Sequence, residues 1–261
     1  MESKYAEKTV LMNPIDDDFM KKMAEDLEFC QEVIRIATGN ENYTVISCHP
    51  QETVKNLQGR SVVLDILCKD ENDKNILVEV QKKDDDNHVK RVRYNTSLVT
   101  ANVTEPGEYF ENIADIVSIY ISVSDFIGKD VEEKKRSAVY HVDRIVRENG
   151  LLLENGVTEI YVNAAVKDGS DAAKLMTVFT ENDAYDYDIC PKTSNRKWQL
   201  KNTEKGVSQV CTIVEEIVKE EITETAEKYF AASDDIELAK DMFCPTLSEE
   251  EIMEIYRRVR S

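Results

Sequence analysis

The sequence predicts an α/β fold in which a central mixed sheet is flanked by helices and followed by a helical C-terminal extension. Three observations lead there. Short runs rich in Val, Ile and Leu are bounded by polar breakers; helical stripes precede and separate them; and the acid-rich last third carries helical patterning. The 261 residues, 41% of them hydrophobic, suffice for one large core with an appendage.

The opening segment "MNPIDDDFMKKMAEDLEFCQEVIRIATG" begins with a proline and three aspartates and ends at Gly39, a good helix entry and a good helix exit. Along it Phe19, Met23, Leu27, Cys30, Ile34 and Ala37 recur every three or four residues, the spacing of a buried helical stripe. Extended runs follow at 43–48, 61–67 and 75–81, the last two separated by the polar turn "CKDENDKN". "NHVKRVRYNTSLVTANV" then takes a helical period and ends before Pro106. Further strands are expected at 115–127, in "SAVYHVDRIV" and in "VTEIYVN". Helices are expected at about 171–180, 204–232 and 248–259, the last opened by the capping-box pair Ser248 and Glu251. The polar stretch 182–203, with Pro191, reads as a linker between a domain at 11–182 and a mostly helical region at 183–261.

A formal net charge of −19 argues against a large cationic surface for nucleic acid, unless divalent cations or an uneven charge distribution offset it. The distribution is uneven: "KKDDDNHVKRVR", residues 82–93, holds five basic residues. The six cysteines have no C-x-x-C pair and no histidine at ligand spacing, so they read as reduced core residues rather than a zinc site or a disulfide framework. His49, His88 and His141 form no motif. No run approaches a membrane span and the N-terminus lacks a signal-peptide core, so a cytoplasmic protein with no membrane partner is expected.

If runs 61–67 and 75–81 pair as an antiparallel hairpin centred on Asn72, Asp65 stands opposite Glu79, and Gln81 shares the face of Glu79. Facing partners have Cβ atoms about 4.5–5.5 Å apart, where like charges repel. A Mg2+ or Mn2+ ion between them removes the conflict, because such ions take carboxylate oxygens, with water and phosphate completing the shell. Alternatively, the two acids face solvent on a sheet edge or pair with Arg91 and Arg93.

Asp65, Glu79 and Gln81 on such a hairpin resemble the signature of the PD-(D/E)xK nuclease superfamily. The blocks "DDDFMKKMAEDLEFCQEVIRIATG", "GRSVVLDIL", "ILVEVQ", "KRVRYNTSLV", "IYISVSDFIG" and "VYHVDRIVRENGLLLENGVTEIYVN" are similar, in order and spacing, to the PD-(D/E)xK nuclease family transposases, over about residues 11–220. The resemblance implies a restriction-endonuclease-like core and Mg2+-dependent (or Mn2+-dependent) endonuclease cleavage of DNA. On the matching positions Asp65 and Glu79 would bind the metal, with the backbone carbonyl of Val80 as a further oxygen. Gln81 takes the place of the superfamily's usual Lys and would orient water. Arg91 and Arg93 would contact DNA phosphates. Glu32, with Asp18 second, is the expected acid from the first helix. A homodimer would make two cuts in a duplex most directly. The chain departs from the family pattern at Asn95, where a second aromatic is usual, and at Val63 and Leu64, which replace a basic residue and a leucine; Arg60 lies just upstream. These departures touch DNA affinity more than metal binding. With the acidic tail they leave an alternative, a catalytically degenerate nuclease fold serving as a binding or assembly module.

Overall fold

A computed structural model describes residues 11–56, 59–83 and 87–260. Residues 1–10 of the N-terminal stretch read for a signal peptide and the Asp84–Asp86 run lie outside the described residues. The chain divides into two compact units, one covering Met12–Gln199 and the other built mainly from Leu200–Ser261.

The first unit begins with α1 (Asp17–Met23) and α2 (Leu27–Thr38). Asp26 caps α2 by accepting from the Glu28 and Phe29 amides, and Gly39 ends it at φ 64°, a conformation in which a Cβ would be strained. The strands are β1 (Val45–Val54), β2 (Val62–Asp70), β3 (Asn75–Gln81), β4 (Ile116–Ser122), β5 (Val139–Val142) and β6 (Val157–Asn163). They form one sheet in the order β1-β2-β3-β4-β6-β5. β1, β2 and β3 pair antiparallel with one another, β3, β4 and β6 run parallel, and β5 closes the edge antiparallel to β6, so the sheet is mixed. β1 continues beyond its expected end at 48, through Pro50 to Val54. It is an edge strand, where a residue without an N–H costs little.

The connection from β3 to β4 is α3 (His88–Val103), started by the Asn87 side chain accepting from the Lys90 amide. Leu98 and Val99 of α3 pack on Leu77 and Ile116, so apolar burial fixes the helix over the two strands. His88 is buried, its Nδ1 2.9 Å from the Tyr120 hydroxyl and its ring stacked on Phe126, beside a second cluster formed by Val92, Tyr120 and Tyr161.

After α4 (Asp171–Thr180) the expected linker at 182–203 is instead largely helix: α5 spans Pro191–Asn202. Proline is suited to a first helical turn because its missing N–H would be unpaired there anyway. The polar composition misled because Thr193, Ser194 and Lys197 are all buried. The Lys197 ammonium donates to the carbonyls of Val178 (2.9 Å), Ala184 (3.2 Å) and Glu181, closing the C-terminal end of α4 where carbonyls are otherwise unpaired.

The second unit comprises α6 (Glu204–Ala232), α7 (Ile236–Phe243) and α8 (Glu249–Arg260). Ala226, Phe230, Ala239, Phe243, Leu247, Ile252 and Ile255 form its core. Ser248 and Glu251 make the reciprocal capping box at the start of α8, at 2.8 and 3.3 Å. No helix among the described residues is long and apolar enough to cross a membrane.

Replacing Lys197 by Met keeps the volume of the side chain and leaves those carbonyls without their donor. The variant is expected to lose about 3 kcal/mol of stability in denaturant unfolding. A loss below about 0.5 kcal/mol, the size of an ordinary surface substitution, would show that the buried ammonium is not a structural tie.

Candidate active site

β2 and β3 pair as Ile66 with Val78, Leu67 with Leu77, Cys68 with Ile76 and Lys69 with Asn75, the register centred on Asn72. Pairing stops at Ile66 and Val78, one step before Asp65 and Glu79. There the Asp65 carboxylate replaces the backbone ladder: its Oδ2 accepts from the Val80 amide at 2.8 Å. Both acids therefore stand together at the carboxyl end of β3, where α1 and the first turn of α3 also contribute.

Glu79 is 3% exposed, and its Oε1 has no hydrogen-bond partner. Burial pushes its pKa well above the usual range, and the neighbouring Asp65 charge pushes it further. Asp65 is raised to about 6, first by burial; the Val80 amide and Arg91 pull it down, and Asp17 pushes it up. Two carboxylates that resist ionisation, one with an orphaned oxygen, are a donor set that fits a hard divalent cation. The Val80 amide is committed to Asp65.

Gln81 and Arg91 complete the rim. The Arg91 guanidinium donates to Gln81 Oε1 at 2.5 Å, and Gln81 Nε2 donates to the Lys83 carbonyl at 3.0 Å. Arg91 also lowers the pKa of Asp17, Asp65 and Glu79, so its charge reaches the whole cluster. Arg91 opens onto a cleft of about 610 Å3 shared with Asn56, Arg60, Asn87, Lys90 and Tyr94. Among the described residues, that cleft is lined by three cationic side chains and no acidic one, despite a chain charge of −19. Arg93, two residues along α3, points elsewhere, into a second groove of about 670 Å3 lined also by Glu111, Asp115, Glu154 and Glu159.

The first-helix acid beside the pair is Asp17, which sequence reasoning missed. Its carboxylate keeps an exposed surface, yet the atoms packed around it withdraw enough water to raise its pKa. Its charge acts on both Asp65 and Glu79, but the three carboxylates do not all come within 4.8 Å of one another. Glu32 is engaged elsewhere: its carboxylate accepts from the Lys192 amide (3.0 Å) and from the amide and hydroxyl of Thr193 (both 2.7 Å), holding the start of α5. The run of three aspartates was the available signal for Asp17, but an acidic helix entry looks the same when it only caps.

The raised pKa of Asp65 has a signed consequence. Between the unfolded value near 4 and about 6, the folded chain holds more protons than the unfolded chain, so stability falls as pH rises through that window. Without divalent metal, Asp65 is expected to account for a drop of up to about 3 kcal/mol from pH 4 to above pH 6, and Glu79 adds to it in the same direction. Asp65→Asn should remove the Asp65 share in denaturant unfolding across pH and leave the share of Glu79. Equal pH profiles for the two proteins would refute the assignment.

A family model described as PD-(D/E)XK nuclease family transposase matches residues 26–229, a span that includes Asp65, Glu79, Gln81 and Arg91 but not Asp17. No curated protein and no solved structure matches the chain. Nucleases of this superfamily use divalent metals and act on DNA, and the mixed sheet flanked by helices is consistent with their fold. The matched span covers well over half of the sequence, and the chain belongs to the PD-(D/E)XK nuclease family transposases.

Proposed function

We propose that the protein is a Mg2+-dependent (or Mn2+-dependent) DNA endonuclease whose centre is Asp65 and Glu79, with Gln81 and Arg91 at its edge. The observation that carries this reading is the buried Glu79 Oε1 with no partner, beside a second carboxylate of raised pKa. Asp65, Glu79 and the Val80 carbonyl would hold the ion. When bound, it supplies an acidified water and neutralises charge gathering on the phosphate.

Gln81 has one lone pair and one N–H left after its bonds to Arg91 and the Lys83 carbonyl, enough to orient an attacking water in one direction. An amide carries no positive charge, unlike the superfamily's usual Lys. The Arg91 guanidinium, 2.5 Å from Gln81 Oε1, supplies that charge instead and is placed to meet a phosphate oxygen. Asp17, with its pKa raised, is suited to accept or hold a proton at the rim. The strand being cut would follow the cleft past Lys90 and Arg60, whose charges attract phosphates, while Tyr94 offers an aromatic surface to a sugar or base. Arg93 would meet phosphate only where DNA extends over its own, more acidic groove.

Supercoiled plasmid incubated with the protein and Mg2+ or Mn2+ tests the reading. Wild type is expected to nick, the Asp65→Ala, Glu79→Ala double variant to lose on the order of 10²-fold or more in rate, and Arg91→Ala to lose on the order of 10²-fold. Equal nicking by wild type and double variant would sink the proposal. No nicking by either, across metals and salt, would leave the binding or assembly module as the better reading.

A further inference from the structure

Three cysteines that lie far apart in the sequence meet in space. Cys30 belongs to α2, Cys48 to β1 and Cys68 to β2. The β1–β2 register sets Cys48 opposite Cys68, and a disulfide joins them, a correction to the expectation of six reduced cysteines. The sequence spacing hid this pair because only the pairing of the strands brings the two positions together. The Cys30 sulfur comes to the same place, and all three sulfurs lie within 4.8 Å of one another. Cys30 and Cys68 are 1% and 0% exposed, whereas Cys48 is half-buried.

Two chemistries are open to such a trio. A relay in which Cys30 attacks the disulfide needs a thiolate, and burial pushes the Cys30 thiol up to about 12. The thiol instead donates to the Ala24 carbonyl at 3.4 Å. At neutral pH Cys30 is therefore a poor nucleophile. Metal binding is different, because a thiophilic ion displaces the thiol proton as it bonds to sulfur.

We propose that the reduced protein binds one thiophilic divalent ion of the Zn2+ class through the sulfurs of Cys30, Cys48 and Cys68, and that the Cys48–Cys68 disulfide closes this site. A dithiol reductant opens it: the disulfide gains two electrons and two protons to become two thiols, and the reductant becomes a disulfide. Binding then releases the thiol protons to solvent. Charge selects the divalent ion, since three thiolates with a 2+ ion leave one net negative charge in a buried place, and a monovalent ion would leave two. Among the described residues no His, Asp or Glu joins the trio within 4.8 Å, so the fourth position belongs to water, reached past the half-buried Cys48. The site is separate from the carboxylate pair and sorts metals by softness: sulfur takes the thiophilic ion, and the carboxylates take Mg2+ or Mn2+. β2 carries both Asp65 and Cys68, so an ion on the trio would fasten α2 to the strand that holds the carboxylate centre.

Cadmium serves as the probe, because thiolate-bound Cd2+ has a charge-transfer absorbance. The full chain is reduced with dithiothreitol, freed of reductant without air, and titrated with Cd2+. The expected result is a band that saturates at one ion per chain and is displaced by excess Zn2+. It should persist in the Asp65→Ala, Glu79→Ala variant and in Cys211→Ser, and disappear in Cys30→Ser, in Cys68→Ser and after reoxidation of the wild type. Absence of the band in reduced wild type overturns the proposal whether or not any variant folds. A band of unchanged size in Cys30→Ser, or in the oxidised wild type, overturns it equally.

Discussion

The structure of the first unit is organised around two carboxylates placed side by side where water cannot screen them. Glu79 sits in the middle strands of the sheet, almost fully buried, and Asp65 stands at the neighbouring position of β2. Left to themselves, such charges repel and lose hydration, so each holds its proton more tightly than an ordinary acid. A stability-driven sheet would carry apolar residues there, as it does at Val78 and Leu77, one and two steps away. The hairpin absorbs the conflict in a particular way. Its backbone ladder ends at Ile66 and Val78, and the Val80 amide turns to the Asp65 carboxylate. What stays unmet is Glu79 Oε1, and a divalent cation is the simplest group that meets it.

Everything near the pair is arranged by elements whose own stability lies elsewhere. α3 is held by Leu98 and Val99 against the sheet, and that packing presents Arg91 in the first turn, beside Gln81. α1 and α2 are tied to the segment after α4 by Glu32 and by Arg196, which donates to the Lys22 carbonyl at 2.6 Å. Lys197 closes the end of α4 from the interior. These ties keep the first-helix aspartates over β2 without asking the site residues to supply stability. The negative charge of the chain is likewise compatible with a nucleic-acid substrate, since the described residues lining the cleft at Arg91 carry only positive charge while those of the groove beside Arg93 include four acids.

Much of this was legible from local patterns. The apolar run of β3 and a turn centred on Asn72 were enough to give the register of the hairpin, which holds as far as Ile66 and Val78 and ends one step before Asp65 and Glu79. The capping residues marked α2 and α8 for the same reason: caps are short-range chemistry. What escaped were choices decided by contacts distant in sequence. Asp17, Asp18 and Glu32 are all acids of the first helical region, and only the packing of α1 and α2 decides which one faces β2 and which one holds α5. α5 looked like a linker because its buried side chains are polar and are satisfied by carbonyls elsewhere in the chain. The meeting of Cys30, Cys48 and Cys68 depends on strand pairing and helix docking together, and no spacing rule reports it.

On the function proposed above, Asp65 and Glu79 are kept together for a metal ion. Calorimetric titration of the reduced protein with Mn2+ addresses it directly, since Mn2+ is a hard ion that the cysteine trio would not take up in its place. Saturable binding to the wild type that vanishes in the Asp65→Ala, Glu79→Ala variant, with that variant still folded, is the expected result. Binding of equal strength in both proteins, or none to the wild type at neutral pH, would contradict it.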